Sequence, residues 1–598
     1  MMRHAAKCNP FAAVLPKKMR CTDAAHYICE FEEGSFMQAY KQEVTQHNNQ
    51  YHFILKNTGS SAISLDKITV LSGKMPFHAD TPVYGEGYSM LSQYTGTVGC
   101  LSCLTQYADN SHYHLPQNAG MQTVYNMVLF GDKTVTLWGF VSSHRFSGEI
   151  CWNNERYEIM QRLYGIEIPP GAELVLEDFC ILEGERNDVL TRFAALLAKN
   201  HPPRPAIRPS GWCSWYCFGP KVTAENITDN MDVMQRSLSE LRFVQIDDGY
   251  QDKMGDWLIF DKDFGDVQKL CKQIKSRGLE PAVWIAPFIA EKNARLLREH
   301  PDFFIKDENG APLASNLVTF GGWRRAPWYM LDGTNPNART YIANIFRIIK
   351  EEWGVRYFKL DANVWGAMPF GCRYDNQKTP VEGYRLMMKA ICEAVGDDGF
   401  ILGCNAPMWP SIGVANAMRV SNDVARRWNC ISVLAKEIFY RNWQNDRLWL
   451  NDPDCMVQIS KKAIVIDAAG QIAEDEALTE DEYAFQAACI FTSGGMLMAG
   501  DDLVRYTDRE FMLTVPFVVN VINLFHLAFN NKQYHKSLYI SIPKCNKKAI
   551  EKAAIILCRF CSITLNIFSQ MISFQVRIFL CIRMPQFHLQ TSLHWQTL

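Results

Sequence analysis

Two patterns of apolar and polar residues divide this chain. Between residues 28 and 185, short segments alternate apolar and polar positions, for example 51–55, 64–70 and 134–141, with turn residues between them. Such alternation is typical of strands that bury one face of an antiparallel sheet. This part of the chain therefore predicts a β-sandwich.

A helix and a proline-rich segment follow the predicted strands. Apolar residues recur at helical spacing between positions 187 and 199. The next nine residues, HPPRPAIRP at 201–209, contain four prolines. Proline cannot continue a helix because it lacks the backbone N–H donor. We therefore predict that a linker helix ends here and that a domain boundary follows.

From residue 211 onwards, short apolar strands alternate with amphipathic helices, for example 267–277, 338–352 and 383–395. This alternation implies parallel strands joined by helical crossovers. Eight strands over about 300 residues fit an α/β fold of the (β/α)8 TIM-barrel type. A doubly wound sheet also fits, but no glycine-rich loop follows the first strand. The predicted strands end at Trp215, Asp247, Ile285, Asp361, Cys404, Ser421, Asn451 and near Ala499.

The composition changes again after about residue 530. Glu551 is the only acidic residue beyond that point, while lysine, arginine, cysteine and isoleucine become frequent. A membrane span over 560–576 is one interpretation, but polar residues interrupt this segment, and we favour an altered, frameshift-like tail. We thus predict three regions: an N-terminal β-sandwich-like domain with a linker helix at 1–200, a catalytic (β/α)8 barrel at 201–525 and an atypical C-terminal tail at 526–598.

The overall composition is that of a soluble globular enzyme. Lysine and arginine total 61 and aspartate and glutamate total 63, so there is no basic excess for binding nucleic acid. Residues 1–20 contain no unbroken apolar stretch, so we predict no secretory leader and a cytoplasmic protein. The CxxC pairs at 100–103 and 558–561 have no histidine pair beside them, so we expect buried free thiols and no zinc site.

The strongest chemical signal is the sequence KLDAN at residues 359–363, which directly follows the aromatic Tyr357 and Phe358. Burying a lysine, an aspartate and an asparagine together is costly unless each is paired, so we expect this strand end to form a site. A second aspartate, Asp423, ends the sequence RVSND at 419–423. Two carboxylates at the C-terminal ends of barrel strands are the minimum equipment of a glycoside hydrolase.

These motifs resemble those of the retaining α-galactosidases of glycoside hydrolase family 36. The resemblance is close over residues 211–502 and looser over the N-terminal part. It implies a β-sandwich followed by a (β/α)8 barrel. Family members normally also have a small β-sandwich after the barrel, but the composition of residues 526–598 does not indicate one. The matching motifs stand in the family order: GWCSW at 211–215, QIDDG at 245–249, Trp284, MLD at 330–332, KLDAN at 359–363 and RVSND at 419–423.

The resemblance implies roles for the two carboxylates. Asp361 is expected to be the nucleophile that forms a covalent glycosyl-enzyme, and Asp423 the general acid and then the general base, with net retention. Lys359 lies two residues before Asp361 and should face the same side of the strand, so we expect its cation to keep Asp361 ionised. Asp423 must carry its proton, which we expect from partial burial and repulsion by Asp361. At position 422, where the family often has an acidic residue or proline, this chain has Asn422.

The resemblance also implies which residues hold the sugar. Asp247 and Asp248 would bind the 4- and 6-hydroxyls, and a carboxylate placed for an axial 4-hydroxyl rejects the epimer because it would be left unpaired. Cys404 and Asn405 lie where relatives read the substituent at position 2. The other expected sugar-binding residues are Trp215, Trp284, Arg325 or its neighbour Arg324, Lys359 and Arg419.

The leading hypothesis is an exo-acting α-galactosidase for oligosaccharides such as raffinose or melibiose. Three alternatives stay open: a raffinose-synthase-type transferase that uses the same two aspartates, an α-N-acetylgalactosaminidase that differs around Cys404 and Asn405, and a non-catalytic sugar-binding protein. Two carboxylates suffice for acetal hydrolysis, so we expect no metal and no organic cofactor. The expected partner is an oligosaccharide, with no nucleic acid and no membrane, and a homo-oligomer is left open.

Overall fold

The computed structural model of this chain describes most of the residues between 16 and 514. All of the described residues belong to one compact unit. The predicted tail at 526–598, including the segment 560–576, lies outside them, so that prediction stays a prediction. The described residues are 16–23, 26–31, 40–47, 49–205, 207–459, 464–466, 472–474, 478–511 and 514.

The N-terminal part consists of antiparallel sheets, as the alternation of apolar residues predicted. The two largest sheets have eleven and four strands. They share one apolar core, in which Phe53 and Trp138 of the larger sheet lie in the same cluster as Val70 and Trp152 of the smaller one. The prediction of an N-terminal β-sandwich is confirmed.

The strands of the sandwich are as follows. In the larger sheet they run, in spatial order, Pro16–Asp23, His26–Phe31, Tyr40–His47, Gln50–Asn57, Phe179–Glu185, Thr134–Phe140, Met127–Gly131, Pro82–Glu86, Gln93–Thr97 and Cys100–Cys103, with Glu173–Val175 beside Gln50–Asn57. In the smaller sheet the order is Gln122–Tyr125, Ser147–Trp152, Arg156–Arg162 and Lys67–Lys74, and Ile63–Ser64 pairs with Glu167–Ile168.

The helix Arg186–Asn200 connects the sandwich to the barrel, close to its predicted bounds of 187–199. Glu185 caps its first turn by accepting hydrogen bonds from two backbone N–H groups, which would otherwise lack partners. The apolar face of the helix is buried in a cluster that includes Phe193 of the helix and Trp409 of the barrel. The helix is therefore packed between the two parts of the molecule.

Eight parallel strands form the second part, and the predicted (β/α)8 barrel is confirmed. The eighth strand pairs with the first, and Met496 N–H donates to Asn451 C=O at 2.8 Å across the remaining seam, so the barrel is nearly closed. Each predicted strand end lies within two residues of the observed one. The strands are, in chain order from first to eighth, Ser210–Cys213, Phe243–Ile246, Glu280–Ile285, Tyr357–Leu360, Phe400–Gly403, Ala417–Arg419, Leu450–Asp452 and Leu497–Ala499.

Helices and two small antiparallel sheets complete the described structure. The helix Pro336–Trp353 shows why these segments are helical: Asn335 caps it, proline occupies its first position, and Gly354 ends it with φ +77°. No helix in the part of the chain described above is long and apolar enough to cross a membrane. The two-stranded sheets pair Ile289–Glu291 with Trp328–Met330 and Ile464–Ile466 with Ile472–Glu474.

The remaining helices are short or amphipathic. The other α-helices are Asp109–Tyr113, Trp215–Phe218, Ala224–Ser237, Val267–Ser276, Arg295–Glu299, Pro380–Val395, Trp428–Arg441 and Glu480–Ser493. The 3-10 helices are Gly219–Lys221, Pro301–Phe303, Ser315–Leu317, Asn363–Ala367, Trp409–Ser411, Asn442–Gln444 and Leu503–Arg505.

A buried ion pair joins the sandwich to the barrel. Arg441 Nη2 lies 2.7 Å from Glu86 Oε2, and both side chains are 0% exposed. Arg441 also donates to the backbone carbonyls of Met90 and Val420. Because an unpaired buried charge is costly, each partner depends on the other. Val420 lies three residues before Asp423, so this contact reaches the edge of the candidate site.

Candidate active site

Asp361 follows the fourth barrel strand and is held by two hydrogen bonds. Trp284 Nε1 donates to its Oδ2 at 3.1 Å, and the N–H of Ala362, a residue with φ +53°, donates to its Oδ1 at 2.7 Å. Burial raises the pKa of Asp361, although the cation of Lys359 acts in the opposite direction, and the charge of Asp423 raises it further. The charge of Lys359 therefore acts in the direction that we predicted, although burial outweighs it.

Lys359 pairs with a carboxylate on another strand. Its Nζ lies 3.0 Å from Oδ2 of Asp247, which follows the second barrel strand, and both side chains are buried. The same oxygen accepts a hydrogen bond from Gln245 Nε2 at 2.7 Å. Burial alone would lower the pKa of Lys359, but the charge of Asp247 raises it well above its ordinary value. Lys359 is therefore a fixed cation in the floor of the site.

Asp248 lies beside Asp247 and pairs with an arginine from a loop. The guanidinium of Arg324 donates to both carboxylate oxygens of Asp248, through Nε at 2.9 Å and through Nη2. The neighbouring Arg325 is exposed and faces away, donating to the carbonyl of Asp252 and lying 3.3 Å from Glu291. Of the two arginines that we considered, Arg324 therefore lies in the site and Arg325 does not.

Asp423 lies at the open side of the barrel. Its side chain is 68% exposed, so the partial burial that we expected is absent. Its Oδ1 accepts hydrogen bonds from Arg419 Nη1 at 3.0 Å and from the hydroxyl of Tyr216 at 3.1 Å. The group can therefore meet a substrate oxygen and bulk water while one side of the carboxylate stays fixed.

Arg419, 1% exposed, anchors Asp423 to a buried acidic cluster. Its Nη2 lies 2.7 Å from Oδ1 of Asp454, and its Nε lies 3.6 Å from Asp452. The Tyr216 hydroxyl donates to the other oxygen of Asp454 at 2.6 Å. Burial raises the pKa of Asp454 to about 6, although Arg419 acts to lower it. The cluster thus fixes the position of the guanidinium that contacts Asp423.

Cys404 and Asn405 follow the fifth barrel strand, between the strands that carry the two catalytic candidates. Burial raises the pKa of the Cys404 thiol well above its ordinary value, so the group stays protonated. Asn405 has a φ of +43°, and its Oδ1 accepts a hydrogen bond from the hydroxyl of Tyr113 at 2.7 Å. Tyr113 belongs to the sandwich domain, which therefore supplies part of the wall of the site.

Aromatic rings surround the carboxylates. Trp284 is almost completely buried and contacts Trp257 edge to face, at 5.8 Å between ring centroids. Trp215 begins a short helix and is half-buried against the apolar cluster of the barrel. An aromatic group that we did not predict lies beyond Asp361, where Trp365 contacts the rings of Tyr113, Phe320, Trp323 and Trp328.

A model of the melibiase family matches residues 224–395 of this chain, a segment that includes Asp247, Asp248 and Asp361. The solved α-galactosidase of Thermus thermophilus, in complex with p-nitrophenyl α-D-galactopyranoside, shares 21% identity with a TM-score of 0.59, covering 80% of this chain and 94% of that one. Residues 224–395 therefore match the melibiase family, and the fold of the chain is that of solved α-galactosidases.

Further relatives have the same fold or a related sequence. The family 36 α-galactosidase AgaA of Geobacillus stearothermophilus shares 14% identity with a TM-score of 0.58, over 86% of this chain and 73% of that one. An A type blood α-D-galactosamine galactosaminidase of Flavonifractor plautii is 28% identical over 269 residues, 40% of this chain. The myogenesis-regulating glycosidase of Mus musculus is 22% identical over 170 residues. The match spans 23% of the length of each of these last two proteins.

Three residues of the candidate site were missed in the sequence. Tyr216 lies next to the predicted Trp215. Asp454 lies in the sequence NDPD at 451–454. We predicted a strand end at Asn451 there, and the acidic residues that follow it were a signal for Asp454 that we did not use. Tyr113 carries no local signal, because only the contact between the two domains brings it to Asn405.

Proposed function

We propose that this chain hydrolyses terminal α-galactosides by a retaining double displacement. The observation that carries the proposal is the environment of two carboxylates, Asp361 and Asp423, after the fourth and sixth barrel strands. One is enclosed and aimed by Trp284, whereas the other is exposed and hydrogen-bonded to Arg419. A retaining mechanism needs one carboxylate held beside the anomeric carbon and a second one that can reach both the leaving oxygen and water.

In the first step, Asp361 attacks the anomeric carbon. A bond forms between this carbon and a carboxylate oxygen of Asp361, the bond to the leaving oxygen breaks, and Asp423 gives its proton to that oxygen. The hydrogen bonds from Trp284 and Ala362 hold the nucleophile in one orientation. Alignment of this kind lowers the barrier because the cost of ordering is met before the reaction.

In the second step, Asp423 acts as a base. It takes a proton from water, the water oxygen bonds to the anomeric carbon, and the bond to Asp361 breaks, so the sugar leaves with its original configuration. The hydrogen bond from Arg419 holds one oxygen of Asp423 in place for this step.

The polar cluster on the second and fourth strands supports galactose as the sugar. Asp247, Asp248, Lys359 and Arg324 present fixed charges whose hydrogen bonds are directional. A sugar that cannot pair with such groups leaves them unsatisfied, which is the strongest basis for rejecting an epimer. The substrate class that follows is a small oligosaccharide ending in α-galactose, and we expect the enzyme to act in the cytoplasm.

A second candidate is hydrolysis of an α-linked galactosamine derivative. It is favoured by the similarity to the Flavonifractor plautii galactosaminidase over 269 residues. The groups that would decide it are Cys404 and Asn405, because small changes there alter the space for a larger substituent at position 2 of the sugar.

The proposal is tested with p-nitrophenyl α-galactoside and the corresponding galactosaminide and N-acetylgalactosaminide. We expect the purified chain to cleave the galactoside and to release α-galactose first, as followed by NMR. Asp361→Asn should abolish cleavage. Asp423→Asn should reduce kcat/KM by about 10²- to 10⁴-fold for methyl α-galactoside, whose leaving oxygen needs a proton. The exposed Asp263→Asn is the matched control and should keep full activity.

The outcomes separate the hypotheses. Release of the β-anomer first would exclude the retaining mechanism. Preference for either amino-sugar substrate would favour the second candidate. Transfer of galactose to added sucrose in place of water would indicate the transferase. A folded protein that cleaves none of these substrates would contradict the proposed function.

A further inference from the structure

The segment that carries Asp423 is fixed from the protein side by buried groups. The carbonyl of Val420 accepts a hydrogen bond from Arg441 Nη1 at 3.2 Å, and the N–H of Val424 donates to Oδ2 of Asp454 at 2.6 Å. Of the three residues between them, Ser421 donates to the carbonyl of Pro453 and Asp423 accepts a hydrogen bond from Arg419. Residue 422 is left to be fixed by another group.

Glu437 fills this gap. It lies on the helix Trp428–Arg441 and is 0% exposed. Its Oε2 accepts the backbone N–H of Asn422 at 3.0 Å, and its Oε1 accepts the side-chain Nδ2 of the same residue at 2.8 Å. Two parallel bonds to one residue fix both its backbone and its side chain. The residue directly before Asp423 therefore cannot rotate without breaking both bonds.

We propose that Glu437 is a positioning residue for Asp423, which it holds in place through Asn422. The inference rests on the proposed function, since it concerns how Asp423 is presented to the leaving oxygen. Proton transfer requires the acid within hydrogen-bond reach of that oxygen. Asp423 is exposed, and on the protein side its carboxylate is held by Arg419. The two hydrogen bonds between Glu437 and Asn422 additionally hold the backbone that carries Asp423.

The pairing depends on the identity of both residues. Asn422 supplies two N–H donors and Glu437 supplies two acceptor oxygens. An aspartate at 422 would face the carboxylate of Glu437 with a like charge, whereas a glutamine at 437 could donate to that aspartate and still accept the backbone N–H. The variants Asn422→Asp and Glu437→Gln should therefore be harmful alone and compatible together.

The experiment compares two substrates that differ in their need for an acid. p-Nitrophenol leaves readily without a proton, whereas the methanol of methyl α-galactoside must be protonated as it leaves. Assays are run at about pH 8, where the carboxylate is ionised, because burial raises the pKa of Glu437 to about 7 while the nearby cations of Arg441 and Arg419 act to lower it.

We expect Glu437→Gln to lower kcat/KM for methyl α-galactoside by about 10- to 100-fold, and for the p-nitrophenyl substrate by no more than about 3-fold. Asn422→Asp should show the same selectivity, and the double variant should recover to within about 3-fold of the wild type on the methyl substrate. Lys436→Gln, an exposed change at the preceding helical position, is the control.

Circular dichroism and melting temperatures establish whether each variant folds. If Glu437→Gln does not fold, Asn422→Ala takes its place, because it removes only the side-chain hydrogen bond. It should again lower kcat/KM more for methyl α-galactoside than for the p-nitrophenyl substrate, by a smaller factor. An equal loss on both substrates, with no recovery in the double variant, would overturn the inference while leaving the proposed function intact. A wild type that cleaves neither substrate would overturn both.

Discussion

The Nζ of Lys359 lies 3.0 Å from Oδ2 of Asp247, and the two side chains form a buried ion pair between the fourth and second barrel strands. Lys359, which lies two residues before Asp361, thus forms its ion pair with Asp247 and not with Asp361. Its charge acts on Asp361 only through space, and its direct contact holds the Asp247 carboxylate in one orientation.

Lys359→Met should therefore damage both stability and activity. The change leaves Asp247 buried without its cation, which costs about 3–5 kcal/mol. We expect a lower melting temperature and a loss of about 100-fold or more in kcat/KM. Adding Asp247→Asn to this variant should recover stability but not activity. A double variant that is no more stable than Lys359→Met would contradict the pairing.

The two adjacent arginines offer a matched comparison. Arg324→Met should remove a bidentate partner from the buried Asp248 and lower kcat/KM by about 100-fold. Arg325→Met, one residue further and directed at Glu291, should stay within about 3-fold of the wild type because Arg325 contacts none of the site carboxylates. Steady-state kinetics on p-nitrophenyl α-galactoside distinguish the two variants. A larger loss of kcat/KM for Arg325→Met than for Arg324→Met would contradict the positions of the two arginines described above.

Tyr113→Phe tests the contribution of the sandwich domain. The ring contacts with Phe320 and Trp365 should persist, so we expect a small change in melting temperature. Loss of the hydroxyl frees the amide of Asn405 and should lower kcat/KM by about 10-fold. Tyr107→Phe, on the same loop, is the control. Equal kinetics for the two variants would mean that Asn405 needs no orientation from Tyr113.

Glu437 also predicts how stability changes with pH. Its pKa is raised from 4.5 to about 7 in the folded protein, so its protonated form stabilises the fold fully below pH 4.5 and this contribution is lost as pH rises to about 7. The total is about 3 kcal/mol. From pH 5 to 7.5 the wild type should therefore lose stability relative to Glu437→Gln, which does not titrate. A difference in melting temperature that stays constant over this range would contradict the shift.

The barrel could be predicted because its strands are short apolar runs that end in polar residues. Those ends meet at one face of the fold, so Asp247, Asp361, Cys404 and Arg419 were expected together, and they are. The same reasoning could not choose between neighbouring loop residues, as the outward turn of Arg325 at φ +54° shows.

Other parts of the site depend on tertiary contacts that have no local pattern. Lys359 has a long side chain that reaches across the barrel, so its position two residues before Asp361 did not decide its partner. Tyr113 meets Asn405 across 292 residues of sequence. The exposure of Asp423 follows from the loop after the sixth strand, whose course is set by Arg441 and Glu437.

The buried ion pair between Glu86 and Arg441 bears on how this protein can evolve. Exchange of the barrel alone between relatives would bring an arginine without its glutamate, or the reverse, into a dry interface. The same exchange would separate Tyr113 from Asn405. We therefore expect the two regions to be inherited together. With Asn405 reading the sugar as proposed, a mutation of Tyr113 in the sandwich would change sugar preference while every barrel residue stays the same.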